Sequence, residues 1–276
     1  MYGCEPRAIT MSLLILSQQI EFAGIKVKNQ GIGVASYQEG YGVDGTDGIL
    51  GLGGVGQNAN VVKGLPFDPT VLDNMKAQGL IADQILGVHG QQLQRGETYA
   101  ESGELSVGWV DEMWYEGNIT WSGPTPNAGP DGSLSGAWVV PVEGLVSNGK
   151  PLESYEPMPY VLFDTGVTHL FCPPSPFFEW LGIAGGEYDR THFLSSFATR
   201  PTATFGFKIN GTVFELTPDQ YLVPEVSSSC VTLECNGPLT SVQHLYSVWN
   251  LPSDKIWSHI STAGPGNFYV GKAFLE

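Results

Sequence analysis

An aspartate that could activate water follows a short apolar stretch past the middle of the chain. Residues 161–166 read Val-Leu-Phe-Asp-Thr-Gly. Three apolar residues predict a buried strand, which would deliver the carboxylate of Asp164 to a tight turn. Gly166 would let the backbone approach closely there, and neighbouring N–H and hydroxyl groups can hold the carboxylate ionised. A carboxylate held in this way can take a proton from water, so Asp164 is the leading candidate for catalysis.

Two further segments extend this pattern along the chain. Residues 47–53 read Asp-Gly-Ile-Leu-Gly-Leu-Gly, and residues 269–271 read Tyr-Val-Gly. Together with Asp-Thr-Gly, and in this order, they resemble the pepsin-like aspartic endopeptidases of fungal type. In that family an apolar-apolar-Gly strand crosses beside each Asp loop. The resemblance implies a mainly β, bilobal pepsin-like acid protease fold.

The resemblance also implies how the chain is divided. Residues 1–110 would form a partial N-terminal lobe, and residues 111–276 a C-terminal lobe that carries the Asp loop. Members of the family use two Asp loops, one from each lobe, whereas this sequence contains a single Asp-Thr/Ser-Gly triplet. We therefore expect an incomplete N-terminal lobe and a truncated form of the family's chain.

The roles of the residues around the loop follow from the same resemblance. Asp164 would be one half of a catalytic pair of aspartates, and Thr165 would hydrogen-bond across that pair. Gly166 would admit the backbone of a substrate. Val167 and Thr168 would line the wall of the cleft.

The family's other landmarks have weaker counterparts. Tyr2 and Gly3 resemble a remnant of the flap that closes over substrate in the family. The second lobe of the family usually carries a disulfide, for which Cys230 and Cys235 are the candidates if the environment is oxidising. Cys172 lies in an apolar run and is expected to be a buried free thiol.

The composition is typical of many short strands joined by turns. The 276 residues suffice for one large or two modest domains, and they include 36 glycines and 19 prolines but only 14 % charged residues. The net charge is −16, from 28 acidic and 12 basic residues. Nucleic acid and anionic membrane surfaces would be repelled, so neither is expected as a partner. No apolar stretch approaches the length of a transmembrane helix.

Other catalytic arrangements find no support in the sequence. The five histidines lack the spacing of a metal site, and no Gly-x-Ser-x-Gly elbow occurs. We therefore expect neither a metal nor a cofactor. His169 follows the Asp loop and is expected to be an ordinary cleft-wall residue, with an influence on the titration of the loop as the alternative.

Most of the elements that would position Asp164 are expected to be strands. Alternation predicts strands over residues 20–53, broken at Gly24 and at residues 29–31. Extended structure is also expected at residues 85–88, 103–109, 115–121 and 136–142. A hairpin over residues 202–207 and 212–216 would turn at Asn210-Gly211, which is a strong two-residue turn signal.

Three helices are expected. The clearest covers residues 69–78, with Asp68 or Thr70 as its N-cap and Gly79 at its end. A short helix should cover residues 177–181. Residues 216–222 resemble the start of the family's next helix, so the resemblance implies a third helix there.

Three functions are compatible with these features. The first is an aspartic endopeptidase that acts on peptide or protein substrates, is monomeric in the complete family form, and is secreted or vacuolar. Residues 11–16 are short for a secretory signal, so this location rests on the resemblance. The second is a catalytically dead pepsin-like protein that binds peptides or proteins, or acts as an inhibitor. The third pairs two chains that each supply one Asp loop, although the attached part of the first lobe would obstruct that pairing.

Two triplets bear on the compartment. Residues 118–120 and 210–212 read Asn-Ile-Thr and Asn-Gly-Thr, which would accept N-glycans in a secreted protein.

Overall fold

The structure is a computed structural model, and most of its regular elements are strands. It describes residues 11–38, 48–54, 69–90, 103–122, 136–154, 160–167, 169–223, 251–252, 254–262 and 269–270. Strands far outnumber helices in these ranges, as expected. No helix in them combines the length and the apolar character that crossing a membrane would need.

The chain divides into two compact units. The first comprises residues 1–86, 106–110 and 129–137, and the second comprises residues 87–105, 111–128 and 138–276. The expected lobes, residues 1–110 and 111–276, stay a prediction.

The first unit contains a long antiparallel hairpin. Strands β1 (Met11–Phe22) and β2 (Ile25–Gln38) are joined by Ala23 and Gly24, both with positive φ. The break expected at residues 29–31 is wrong, because β2 continues through them. Asn29 has a φ of 54°, and the register shifts between Gln18 and Ile20 on the opposite strand. The hairpin therefore absorbs the irregular residue as a bulge instead of ending there.

The first helix, α1 (Val71–Ala77), packs against this hairpin. Thr70 is its N-cap. The Thr70 hydroxyl accepts from the Asp73 N–H at 3.1 Å, and the Asp73 carboxylate accepts from the Thr70 N–H at 3.0 Å. This reciprocal pair satisfies two backbone donors that the helix itself leaves unpaired. The predicted helix is confirmed, and its buried face is formed by Val71, Leu72 and Met75.

Three expectations about strands have mixed outcomes. Strands β3 (Leu86–Gly90) and β4 (Gly103–Val107) pair with each other, close to the bounds expected. Residues 115–121 form no strand; they follow a 3-10 turn at Glu112–Trp114, and none of the described strands pairs with them. Residues 48–54 are likewise irregular, with Ile49 74 % exposed. A segment whose sequence suits a strand does not form one when no neighbouring strand provides the backbone hydrogen bonds.

Among the described residues, three sheets lie wholly within the second unit. The first sheet has five strands: β5 (Val139–Val140), β8 (Val161–Phe163), β9 (Leu170–Cys172), β15 (Ile260–Thr262) and β16 (Tyr269–Val270). Their order across the sheet is β15-β9-β16-β8-β5. The second sheet has four strands: β6 (Gly144–Ser147), β7 (Lys150–Pro151), β12 (Phe205–Ile209) and β13 (Thr212–Leu216). Their order is β13-β12-β6-β7. The third sheet has three strands: β10 (Glu187–Asp189), β11 (Leu194–Phe197) and β14 (Ile256–Ser258). They lie in that order across the sheet.

Two helices complete this unit. Helix α2 (Pro174–Ala184) is longer than residues 177–181 because prolines fit in the first turn, where an N–H has no intrahelical partner. It ends at Gly185, whose φ is 72°. Helix α3 (Pro218–Tyr221) begins where expected.

The core of the second unit is aromatic. Trp180 of α2 is fully buried and makes edge-to-face contacts with Phe197, Phe205 and Tyr221, at centroid distances of 6.1, 5.3 and 5.5 Å. Its indole N–H donates to the Thr204 carbonyl at 3.1 Å, so the buried polar atom is satisfied. This cluster joins the helix to two of the three sheets.

Gly206, in the middle of β12, predicts a large effect on stability. A Cβ at this position would overlap the Phe214 carbonyl oxygen and lie 2.7 Å from the Glu215 Cα on the neighbouring strand. Because these are backbone atoms, no side-chain rotation relieves the clash. Gly206→Ala is expected to lower the free energy of unfolding by about 1–3 kcal/mol, measured by chemical denaturation.

The matched control is Gly144→Ala on β6. Gly144 pairs with Lys208 on the other side of β12, and a Cβ there would meet no atom within 4 Å. Equal stability of the two variants would contradict the packing described for β12 and β13.

Candidate active site around Asp164

Asp164 lies where the chain leaves the five-stranded sheet. The preceding strand β8 pairs with β16 on one side and β5 on the other, and the Phe163 N–H donates to the Trp138 carbonyl at 2.9 Å. Val161 is fully buried, and Phe163 contacts Phe207 edge-to-face at 6.5 Å. An apolar, internally placed strand therefore fixes the start of the loop, as the sequence predicted.

Two backbone N–H groups of the loop donate to Asp164, one to its carboxylate and one to its main-chain carbonyl. The Gly166 N–H donates to Asp164 Oδ1 at 2.9 Å, and the Val167 N–H donates to the Asp164 carbonyl at 3.1 Å. Asp164 is half-buried, while Thr165 and Gly166 are exposed. The carboxylate is thus oriented by the turn and is still open to a reactant.

The need for glycine at position 166 has a local cause. A Cβ on Gly166 would lie 3.1 Å from Asp164 Oδ1, which is closer than ordinary van der Waals contact. A side chain would therefore push against the same oxygen that the Gly166 N–H binds. The sequence predicted a close approach at this glycine, and the atom approached is that carboxylate oxygen.

Strand β16 lies between β8 and β9. It pairs in parallel with β8, with Tyr269 opposite Leu162 and Val270 opposite Phe163, and antiparallel with β9. The segment expected to cross beside the Asp loop therefore does so. Strand β8 leads into the Asp loop and β9 follows the loop. Strand β16, which comes nearly a hundred residues after β9, lies between these two strands.

His169 differs from expectation, because it is not a wall residue. Only 7 % of it is exposed, and its Nδ1 lies 3.2 Å from Nδ1 of His259, which is also buried. Burial lowers the pKa of His169 to about 4, so the ring is neutral near pH 7. One of the two Nδ1 atoms donates to the other.

Nothing in the sequence indicated this pair, since the two histidines are 90 residues apart. Parallel pairing of β9 with β15 brings them together, with Leu170 beside Ile260. The Leu170 N–H also donates to the His259 carbonyl at 2.8 Å.

Cys172 is buried in the core of the second unit, as expected. Burial raises the pKa of its thiol, so the reactive thiolate is disfavoured.

Several predicted site residues lie outside the described ranges, namely Tyr2, Gly3, Thr168, Cys230 and Cys235. Among the residues that the structure does describe, no group of three His, Cys, Asp or Glu side chains could hold a metal ion. Within the same residues, no hydrogen bond joins Asp164 to another carboxyl group.

Comparison with known proteins identifies the family of this chain. Residues 8–245, which are most of the chain, match the sequence model of the eukaryotic aspartyl proteases. The chain belongs to the eukaryotic aspartyl protease family. The resemblance inferred from the three motifs is thereby confirmed.

Individual members of the family are distant in sequence. A probable aspartic-type endopeptidase of Trichophyton verrucosum is 24 % identical over 269 residues, which cover 96 % of this chain and 44 % of that protein. Polyporopepsin of Irpex lacteus is 28 % identical over 266 residues, covering 93 % of this chain and 70 % of that protein. Cathepsin E of Aquarana catesbeiana is 29 % identical over 220 residues, covering 77 % of this chain and 50 % of that protein. The chain spans about half the length of the first and third of these relatives.

A solved structure supports the fold. The aspartic proteinase from Irpex lacteus superposes with a TM-score of 0.68 at 24 % identity, over 94 % of this chain and 71 % of that one. The predicted mainly β, pepsin-like fold is confirmed. The expected incompleteness of the N-terminal lobe stays a prediction.

Gly166→Ala tests whether this aspartyl protease loop needs the close approach. The methyl group should displace Asp164 Oδ1 by a few tenths of an ångström and weaken the bond from the residue 166 N–H. Small misplacements of a reacting group cost on the order of 10-fold to 100-fold in rate, so we expect kcat for the peptide hydrolysis proposed below to fall by about that factor.

Gly182→Ala in α2 serves as the control, because a Cβ there meets no atom within 4 Å. It should leave kcat unchanged. If Gly166→Ala also keeps the parent kcat, the carboxylate does not depend on this turn.

Proposed function

We propose that this chain contributes the catalytic Asp164 of an aspartic-type endopeptidase. In this chemistry one water is held between two carboxylates that share a proton. The ionised carboxylate takes a proton from the water, and the protonated one polarises the carbonyl of the peptide bond. Two carboxylates about 3 Å apart cannot both be ionised, so one of them stays protonated in acid.

The observation that carries the proposal is the geometry of the Asp loop. Asp164 stands at the end of an internal strand, its Oδ1 accepts the Gly166 N–H at 2.9 Å, and it remains half-exposed. Membership of the eukaryotic aspartyl protease family supports the same assignment.

The neighbouring residues receive supporting roles in this proposal. Thr165 hydrogen-bonds across the pair of aspartates, and Gly166 admits the substrate backbone. Val167 and Thr168 line the cleft, and Tyr2 and Gly3 belong to the flap. The substrates are peptides or proteins, the reaction needs no cofactor, and the location is secreted or vacuolar. The complete family form is a monomer.

A second function is favoured by one feature of the sequence. The chain contains a single Asp-Thr/Ser-Gly triplet, whereas the chemistry above uses two carboxylates. A pepsin-like protein with one competent Asp loop would bind an extended peptide without cleaving it. Such a protein would serve as a peptide-binding pseudoenzyme or an inhibitor.

One experiment separates the two functions. The natural gene product, purified from its source, is incubated with an unstructured protein at acidic pH, with and without a statine transition-state inhibitor. The endopeptidase predicts cleavage that the inhibitor blocks. Binding of peptides without any cleavage would replace it with the pseudoenzyme, and cleavage that the inhibitor leaves intact would contradict both.

A further inference from the structure

Two Asn-x-Thr triplets that are far apart in sequence lie side by side in the second unit. Thr120 Oγ1 and Thr212 Oγ1 are 3.0 Å apart, within hydrogen-bond distance, although 92 residues separate them. The Asn210 side-chain amide also donates to the Trp121 carbonyl at 2.9 Å. These contacts place the third residues of both triplets on one shared surface.

Both asparagines of the triplets are exposed. Asn118 lies in the irregular stretch after the 3-10 turn, and Asn210 lies at the tip of the β12–β13 hairpin. Their amides are therefore on the outside of the folded unit, where a bulky modification can be carried without disturbing the core.

Turn chemistry explains only part of this pattern. Asn210 and Gly211 have φ values of 44° and 79°, so the hairpin favours these two residues whatever else they do. The turn does not require a hydroxyl at Thr212, and it places no demand on Asn118 or Thr120. The two complete triplets thus go beyond what the hairpin needs.

The same surface exposes apolar side chains. Trp121 is 68 % exposed, Val213 44 % and Ile119 37 %. Each of them is a member or a direct neighbour of one of the two triplets. Clustered exposed apolar groups favour association unless something covers them, and an oligosaccharide is a bulky, solubilising cover.

We propose that Asn118 and Asn210 both carry N-linked glycans, which leave the protein from this one surface and cover Trp121 and Val213. The modification joins the reducing sugar of a lipid-linked oligosaccharide to each amide nitrogen, and the lipid pyrophosphate leaves as the amide loses a proton. This inference rests on the secreted or vacuolar location in the proposed function.

The test begins with the protein isolated from cells that export it. Peptide N-glycosidase in heavy-oxygen water converts each glycosylated asparagine to a labelled aspartate, which peptide mass spectrometry locates. Label at both Asn118 and Asn210 is expected. An unlabelled protein overturns the inference, and label at only one asparagine overturns the shared glycan surface.

Matched variants separate glycan loss from misfolding. Thr120→Ala and Thr212→Ala should each remove one glycan, whereas Thr120→Ser and Thr212→Ser keep the hydroxyl and should keep both. None of these changes touches the strained φ of Asn210. Retention of both glycans in the two alanine variants would contradict the assignment of the acceptors.

Covering of the apolar side chains has its own readout. Enzymatic removal of the glycans from the folded parent should increase binding of an apolar fluorescent dye, and the increase should be smaller in Trp121→Ser. An unchanged dye signal would overturn the covering role. Glycan occupancy and peptide hydrolysis are measured separately, so an active protein without glycans refutes only this inference, and a glycosylated inactive one refutes only the proposed activity.

Discussion

Asp164→Asn should abolish the proposed peptide hydrolysis while leaving the fold intact. Asparagine has nearly the same shape and keeps an oxygen that can accept the Gly166 N–H, now 2.9 Å from Asp164 Oδ1. It cannot share or take a proton, so the pair of carboxylates is lost as a unit. We expect kcat/KM in acid to fall by at least about 10³-fold, because the effects of residues that act as a unit are large and non-additive.

Asp111→Asn is the matched control for that substitution. Asp111 Oδ1 accepts the N–H of Met113, two residues on, at 2.9 Å, which is the same local arrangement as at Asp164. Replacing it should leave kcat/KM unchanged. Hydrolysis that survives Asp164→Asn, with a melting temperature equal to that of the parent, would remove Asp164 from the mechanism.

Acid is expected to destabilise the second unit through His169. The pKa of His169 is about 4 in the folded state, below its ordinary value of 6.5, because burial disfavours the charged ring. Between these two values the unfolded chain binds the proton and the folded chain does not. The free energy of unfolding should therefore fall as the pH drops from about 6.5, and by pH 4 and below the loss from this group approaches about 3 kcal/mol.

His169→Asn isolates this contribution. The asparagine amide can occupy the place of Nδ1 and keep the contact with His259 Nδ1, which is now 3.2 Å away, but it does not titrate in this range. Denaturation curves between pH 7 and pH 4 should show a shallower loss of stability for the variant. Carboxylates such as Glu179, whose pKa is lowered by hydrogen bonds from Ser154, contribute equally to both proteins and cancel in the comparison. Parallel curves for parent and variant would show that His169 is not the group responsible.

This acid sensitivity bears on the proposed activity. An aspartic endopeptidase works where one carboxylate of its pair is protonated, and that range overlaps the one in which His169 begins to charge. The active range of the protein would then be limited on the acid side by folding as well as by the catalytic pair. Activity and unfolding measured over one pH series would separate the two limits.

Short-range patterns of the sequence were reliable predictors here. Asp68 and Thr70 were the two candidates for the N-cap of α1, and Thr70 is the cap; Asn210-Gly211 predicted the turn between β12 and β13. Val-Leu-Phe before Asp164 predicted an internal strand that ends in the candidate catalytic loop. For the helix cap and the turn, the interactions that fix the structure lie within a few residues of each other. For β8 the apolar residues marked a strand that would be buried, and its partners β5 and β16 come from elsewhere in the chain.

Expectations failed where the outcome depended on distant neighbours. Residues 115–121 resemble a strand of the family, yet a strand forms only if another one pairs with it, and no described strand does so. Residues 29–31 look like a break, yet β1 opposite them keeps the ladder going through a bulge. His169 was expected in the wall of the cleft because nothing near it in sequence indicates a contact with His259.

The sequence by itself determined the mainly β class, the family and the position of Asp164 at the end of a strand. These follow from residue types at fixed short spacings, which act through turn geometry and alternation. Only the tertiary structure decided that β16 lies between β8 and β9, that two histidines are buried against each other, and that two Asn-x-Thr triplets share a surface. Those contacts join residues about 90 or more positions apart, and they form because burying apolar strands together outweighs the entropy of closing such long loops.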